Sequence, residues 1–170
     1  MDRLAVAIAT WFGCGLIPSI YQPAMGGTYG SLAAVPLCFV LLTYGNWQLY
    51  IAVTVLILFV GMWSVPHAER ALGPRADWRG ISRSRDQNQI VIDEVVGMLI
   101  ACSPIFIVAP ERIYGPIMLA FAAFRIFDIV KPLGIRVFDR MKSAFGVMMD
   151  DVIAGIYAIP FVAAVAWLYR

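Results

Sequence analysis

The chain has 170 residues, enough for one domain over 1–170, and a net charge of only +2. Apolar side chains make up 61% of it and charged ones 14%, against ~45–50% and ~25% in ordinary soluble domains. A soluble fold of this size would be apolar all over its surface, so the composition calls for a bilayer, and the small net charge speaks against a nucleic-acid partner.

Taken in order, Leu4–Ile17 is apolar but broken by Gly13, Gly15 and Pro18. It reads as an interfacial or re-entrant helix, or as a sixth span. Met1-Asp2-Arg3 has one base and one acid with no cleavage site after it, so a signal peptide is not expected. Ser31 to about Tyr44 is apolar but short, with Pro36 inside. Trp47–Val65, Val95–Ala109, Tyr114–Val130 and Val152–Tyr169 follow. A spanning helix needs ~20 mainly apolar residues, so the pattern predicts an all-α, polytopic membrane helical bundle with about five transmembrane helices. Cys14, Cys38 and Cys102 are widely spaced in apolar surroundings and read as small buried hydrophobes. His67 is the single histidine, so zinc chemistry has no ligand set.

The loops predict orientation. Arg70, Arg75, Arg79, Arg83 and Arg85 lie between the second and third spans. Lys131, Arg136, Arg140 and Lys142 lie between the fourth and fifth. The positive-inside rule places both loops in the cytoplasm. The glycine-rich stretch near residue 28, the acidic pair 93–94 and the charged run 125–151 then share one membrane face.

Four clusters there can carry chemistry. Gly26-Gly27-Thr28-Tyr29-Gly30-Ser31 offers backbone amides and hydroxyls, and Ser31 as a helix cap would aim a helix dipole at the same point. Without the Lys of a P-loop it is equally a tight turn before a span. Asp93-Glu94 follows an apolar Ile90-Val91-Ile92. At a helix start such acids complement the dipole; inside the boundary they cost several kcal/mol unless paired or metal-bound. Arg125, Asp128 and Lys131 recur at a spacing of three that puts neighbours on one helix side. They are either a self-neutralising pair or the lining of a polar cavity. Asp150-Asp151 opens the last span, with Ala154-Gly155 one turn on as a place for close helix approach. Adjacent carboxylates repel and are best placed around a divalent cation, and oxygen ligands with substrate phosphate suit Mg2+.

These motifs resemble the phosphatidylglycerophosphatase A family from about Ala9 to the C-terminus. The matching segments are Thr10–Pro18, Gly27–Leu32, Ile90–Met98, Phe124–Asp128 with Lys131-Pro132, and Gly146–Gly155. The resemblance implies a magnesium-dependent phosphomonoesterase in the bacterial inner membrane that converts the lipid phosphatidylglycerophosphate to phosphatidylglycerol. It implies catalytic and metal positions at Asp93, Glu94, Asp128, Asp150 and Asp151. Thr28, Gly30, Ser31, Arg125, Lys131 and Arg140 are expected to hold the substrate phosphate. The chain departs from the family pattern at Gly26, where proline is usual, at Ser143-Ala144, where a Gly-Gly pair is common, and at Gly134, often proline. The loop 74–85 is longer and richer in arginine than usual, and reads as a solvated basic loop or a contact for anionic lipid. Two other classes compete. A CDP-alcohol phosphatidyltransferase also uses boundary aspartates and magnesium, but its long Asp-Gly…Ala-Arg…Gly…Asp…Asp pattern is missing. A small transporter would need polar residues through the bilayer depth, and the middle of the second and last spans is almost wholly apolar.

Overall fold

The computed structural model describes residues 2–17, 25–76, 82–83, 87–108, 111–132, 134–135, 138, 141 and 143–170. It is built of helices: α1 (Asp2–Ala9), α2 (Gly26–Tyr44), α3 (Trp47–Leu72), α4 (Ile92–Cys102), α5 (Pro104–Val108), α6 (Tyr114–Val130) and α7 (Ala144–Leu168). The backbone of Arg75–Ala76 pairs antiparallel with that of Ser82–Arg83, a short ladder the apolar pattern did not foretell.

Among the described residues, three helices are long and apolar enough to cross a membrane: α2 with 19 residues, α3 with 26 and α7 with 25. The expected five spans would need two more, and the structure makes those shorter. α6 has 17 residues. The stretch read as one span from Val95 divides into α4, of 11 residues, and α5, of 5. The physical reason is Ser103-Pro104. Pro104 has no N–H to continue the ladder and its ring crowds the preceding turn. The Ser103 amide turns to Ile100 O at 3.1 Å, and its hydroxyl donates to the same carbonyl at 2.7 Å. Leu99 O thereby loses its helical partner, and Tyr50 Oη of α3 donates to it at 2.5 Å.

α2 is longer than the apolar run suggested, because it begins at Gly26 rather than Ser31. The eight-residue α1 is too short to span and packs along α3. Behind it Trp11 and Phe12 adopt left-handed φ values of 48° and 57°. Thr10 locks this turn, donating to Val6 O at 2.7 Å and accepting from Gly13 N at 3.1 Å. The Val91 amide reaches back to Ala9 O at 2.9 Å, so the turn braces the entry to α4.

α4 is the axis of the bundle. Ile92, Val95, Val96, Met98, Leu99, Ala101 and Cys102 are all buried, and α4 touches α2, α3, α6 and, most extensively, α7. Small residues make the α4–α7 approach possible. A Cβ on Gly155 would stand 2.6 Å from Gly97 O, and one on Gly97 would strike the Phe124 ring and lie 2.9 Å from Asp151 O. Asp93 stands four residues before Gly97, and Asp151 four before Gly155. One helical turn is about 5.4 Å, so the glycine crossing brings both acids to one level.

Candidate active site

Three carboxylates meet at that level. Oxygens of Asp93, Glu94 and Asp151 all lie within 4.8 Å of one another. Asp93 is 8% exposed and Asp151 4%, so bulk water does not screen them. Glu94 Oε2 is buried with no hydrogen-bond donor. Around Glu94 stand the charges of Asp93, Asp151, Asp128 and Arg125, and Asp128 also faces Asp151. Dipole complementarity accounts for acids in a first helical turn, which suits Asp93 and Glu94. It does not account for Asp151. α7 starts at Ala144, capped by Ser143 Oγ accepting from Gly146 N at 3.2 Å, which puts Asp150 and Asp151 a turn deeper than a helix opening.

Donors border the acids. Arg125 Nη1 donates to Asp128 Oδ2 at 2.7 Å, while Arg125 Nε is buried without an acceptor. The start of α2 comes against this pair. A Cβ on Gly27 would lie 2.6 Å from Glu94 Oε1 and 2.7 Å from Arg125 Nη1. Gly27 therefore stands in the first turn of α2, where amide hydrogens lack helical acceptors, facing both a carboxylate and a guanidinium. Met25 makes no side-chain cap there.

Lys131 ends α6 in the left-handed region, φ 46° and ψ 65°, with its amide bonded to Phe127 O at 2.8 Å. Its Nζ sits 2.8 Å from Asp150 Oδ2. The other oxygen of Asp150 accepts the Asp151 amide at 3.1 Å.

The structure thus brings Asp93, Glu94, Asp128, Asp151 and Arg125 together and sets Lys131 and Asp150 beside them. The glycine-rich residues divide. Thr28 is half-buried in the first turn of α2. Ser31 is not a cap: it lies inside α2, fully buried, and its hydroxyl donates to Gly27 O at 2.8 Å. Gly30 serves close packing, since a Cβ there would fall 2.6 Å from Val91 Cβ and 3.4 Å from Glu94 Cβ. Arg140 lies outside the described residues, as do Arg79 and Arg85 of the basic loop. Gly27 belongs to the glycine-rich cluster that the sequence offers for its amides, but its close approach to Glu94 and Arg125 was not readable there. Two departures from the family pattern find local reasons. Ser143 supplies the α7 cap, and Gly134 has φ 95°, which proline cannot adopt.

The donor set fits a hard divalent cation. It is all oxygen, three carboxylates from two helices crowd one point, and Glu94 Oε2 has no other partner.

The phosphatidylglycerophosphatase A family matches residues 7–166. A Bacteroides thetaiotaomicron protein named "Putative phosphatidylinositol-3-phosphatase" is 37% identical over 97% of this chain and 95% of its own length. The phosphatidylglycerophosphatase A of Haemophilus influenzae is 36% identical over 94% of this chain and 87% of its own. That of Escherichia coli is 34% identical over 88% and 76%. No solved structure matches. With a family match over nearly the whole chain and site geometry suited to phosphate chemistry, the chain belongs to the phosphatidylglycerophosphatase A family of phosphatases.

Proposed function

We propose that this chain is a magnesium-dependent lipid phosphate monoesterase that converts phosphatidylglycerophosphate to phosphatidylglycerol and phosphate. It works at the cytoplasmic face of a bacterial inner membrane that it crosses about five times. The observation that carries the reading is the buried meeting of Asp93, Glu94 and Asp151 against the start of α2 and Arg125. The basic loops flanking the acid-bearing end support the orientation, and the family relatives support the substrate.

Asp93, Glu94 and Asp151 are the residues that would hold magnesium, with Asp128 adjoining. Magnesium bound there supplies positive charge against the phosphate oxygens and acidifies water. The remaining work belongs to the chain. The first-turn amides of α2 and the Thr28 hydroxyl receive phosphate oxygens, and the helix dipole favours their charge. Arg125 and Lys131 neutralise charge that builds on the phosphoryl group and its leaving oxygen. In the net reaction the bond from phosphorus to the glycerol oxygen breaks, water oxygen bonds phosphorus, and the glycerol oxygen leaves as a hydroxyl carrying a proton from water. The lipid tails stay among the exposed apolar residues of the helices, such as Leu32, Ile126 and Ile129.

The test is phosphate release by the purified full chain from mixed micelles of phosphatidylglycerophosphate with magnesium. Wild type should release phosphate, EDTA should stop it, and Asp151→Asn at matched folding should lose about a thousandfold, the scale of removing a stabilising charge from a transition state. Full activity in EDTA or in that variant overturns the metal reading. Faster release from phosphatidylinositol 3-phosphate, the substrate in the Bacteroides relative's name, overturns the lipid assignment. A CDP-alcohol requirement overturns hydrolysis.

A further inference from the structure

We propose that Asp150 is a positioning residue, which holds the Lys131 ammonium toward the substrate phosphate, and that it is not a magnesium ligand. This rests on the phosphatase reading above.

Adjacent residues on a helix leave its axis about 100° apart, and here Asp150 and Asp151 turn to different partners. Asp151 turns to Asp93 and Glu94. Asp150 has both oxygens engaged elsewhere, Oδ2 by Lys131 Nζ at 2.8 Å and Oδ1 by the Asp151 amide at 3.1 Å. It stands between a cation and the backbone of the acid that completes the carboxylate cluster.

Lys131 supplies the second observation. A left-handed backbone is unfavourable for a residue with a side chain, and a residue before proline is pushed toward extended conformations as well. Glycine or asparagine would end α6 at lower cost, yet lysine stands there with φ 46°. Such strain persists where surroundings over-determine it, and it clusters at functional sites. The ion pair with Asp150 is one constraint, and the amide bond to Phe127 O another. The Lys131 side chain remains 25% exposed, more open than Arg125 at 15%. A partly exposed ammonium anchored by a carboxylate beside the acid cluster is placed to meet an anionic phosphate oxygen.

The experiment compares Asp150→Asn, Lys131→Met, their double variant, Lys131→Gly and Asp151→Asn in the full-length protein, with two readouts. The first is the rise in Tm on adding Mn2+, which reads metal binding without turnover. Wild type, Asp150→Asn and Lys131→Met should show the same rise, and Asp151→Asn should lose it. The second is steady-state kinetics on the lipid phosphate. Asp150→Asn and Lys131→Met should each raise KM about tenfold, as expected for one lost charge-assisted hydrogen bond. Their double variant should be no worse than either alone. Lys131→Gly loses the same ion pair but relieves the left-handed strain, so it should unfold at a higher temperature than Lys131→Met while raising KM equally. Loss of the Mn2+ response in Asp150→Asn, additive effects in the double variant, or an unchanged KM in Lys131→Gly each overturns the assignment. If wild type releases no phosphate from any lipid, the phosphatase reading fails on its own, and the Mn2+ arm still reports whether Asp150 is a ligand.

Discussion

At the end of the bundle where α2 gives way to α3, local partners satisfy the polar groups. Asn46 caps α3 through its side-chain oxygen, which accepts from Leu49 N at 2.8 Å. Thr54 donates to Tyr50 O at 2.8 Å, and Tyr50 covers the carbonyl freed by the break before Pro104. At the opposite end, where α4 and α7 begin, Glu94 Oε2, Arg125 Nε, Gln87 Oε1 and Gln89 Oε1 are buried with no hydrogen-bond partner. An unsatisfied buried polar atom costs about 1–3 kcal/mol, more when charged. A fold bears that cost where a ligand supplies the missing partner. The contrast separates the part of the bundle that holds it together from the part proposed to meet substrate, and it can be tested by altering each end in turn.

The largest effect is expected at Glu94. Glu94→Gln keeps shape and volume but removes one negative charge from the crowded carboxylates. We expect activity to fall by about 10²–10³, as for loss of a group that stabilises developing charge, while Tm rises because like charges no longer oppose one another in a buried site. Enzymatic rate and thermal unfolding measured on one preparation decide it. A variant that loses stability and activity together would mean that the acids are structural and the contrast is false.

Gly27→Ala comes next. The added Cβ would intrude on Glu94 Oε1 and Arg125 Nη1, at 2.6 and 2.7 Å. Both are ends of longer side chains and can shift, so the fold should survive. A displacement of about 1 Å in positioned groups costs about a hundredfold in rate. We expect that loss in kcat with Tm changed by no more than a few degrees, and a wild-type rate in Gly27→Ala would remove α2 from the site.

Much of this arrangement was legible in the sequence, and the exceptions have local causes. Acids and bases amid apolar runs marked Asp93, Glu94, Arg125, Asp128 and Asp151, because such groups persist near a bilayer only with partners. The small pair Ala154-Gly155 foretold the close approach that α7 makes to Gly97. Helix limits were harder. Glycines read as a loop, yet Gly26 and Gly27 start α2 because tertiary packing against Asn88 and Glu94 overrides their propensity. Ser31 looked like a cap because serine favours caps, and inside the helix its hydroxyl bonds back four residues instead. The division of labour between Asp150 and Asp151 was not readable, since it depends on helix rotation and on the conformation of Lys131 at the end of another helix. Hydropathy ran through Ser103-Pro104 because both residues are tolerated in apolar runs, whereas backbone hydrogen bonding breaks there.

Tyr50→Phe is the smallest change and the sharpest check on the other end. Tyr50 is 3% exposed, and its hydroxyl reaches from α3 to Leu99 O across the bundle. That carbonyl is available because Ser103 N has turned to Ile100 O ahead of a proline that brings no amide. Removing the hydroxyl leaves a buried acceptor without a donor, at a cost of about 1–3 kcal/mol, and nothing from α3 replaces it. The Tyr50–Phe106 ring contact, centroids 5.1 Å apart, is retained by phenylalanine. Thermal unfolding should therefore begin at lower temperature, while phosphate release per folded molecule stays at the wild-type value. Leu99 follows Glu94 by five residues on the same helix, so this variant also asks whether α4 transmits a disturbance along its length. A fall in specific activity without a fall in Tm would show that the carbonyl holds the register of Asp93 and Glu94, and that the two ends act as one unit.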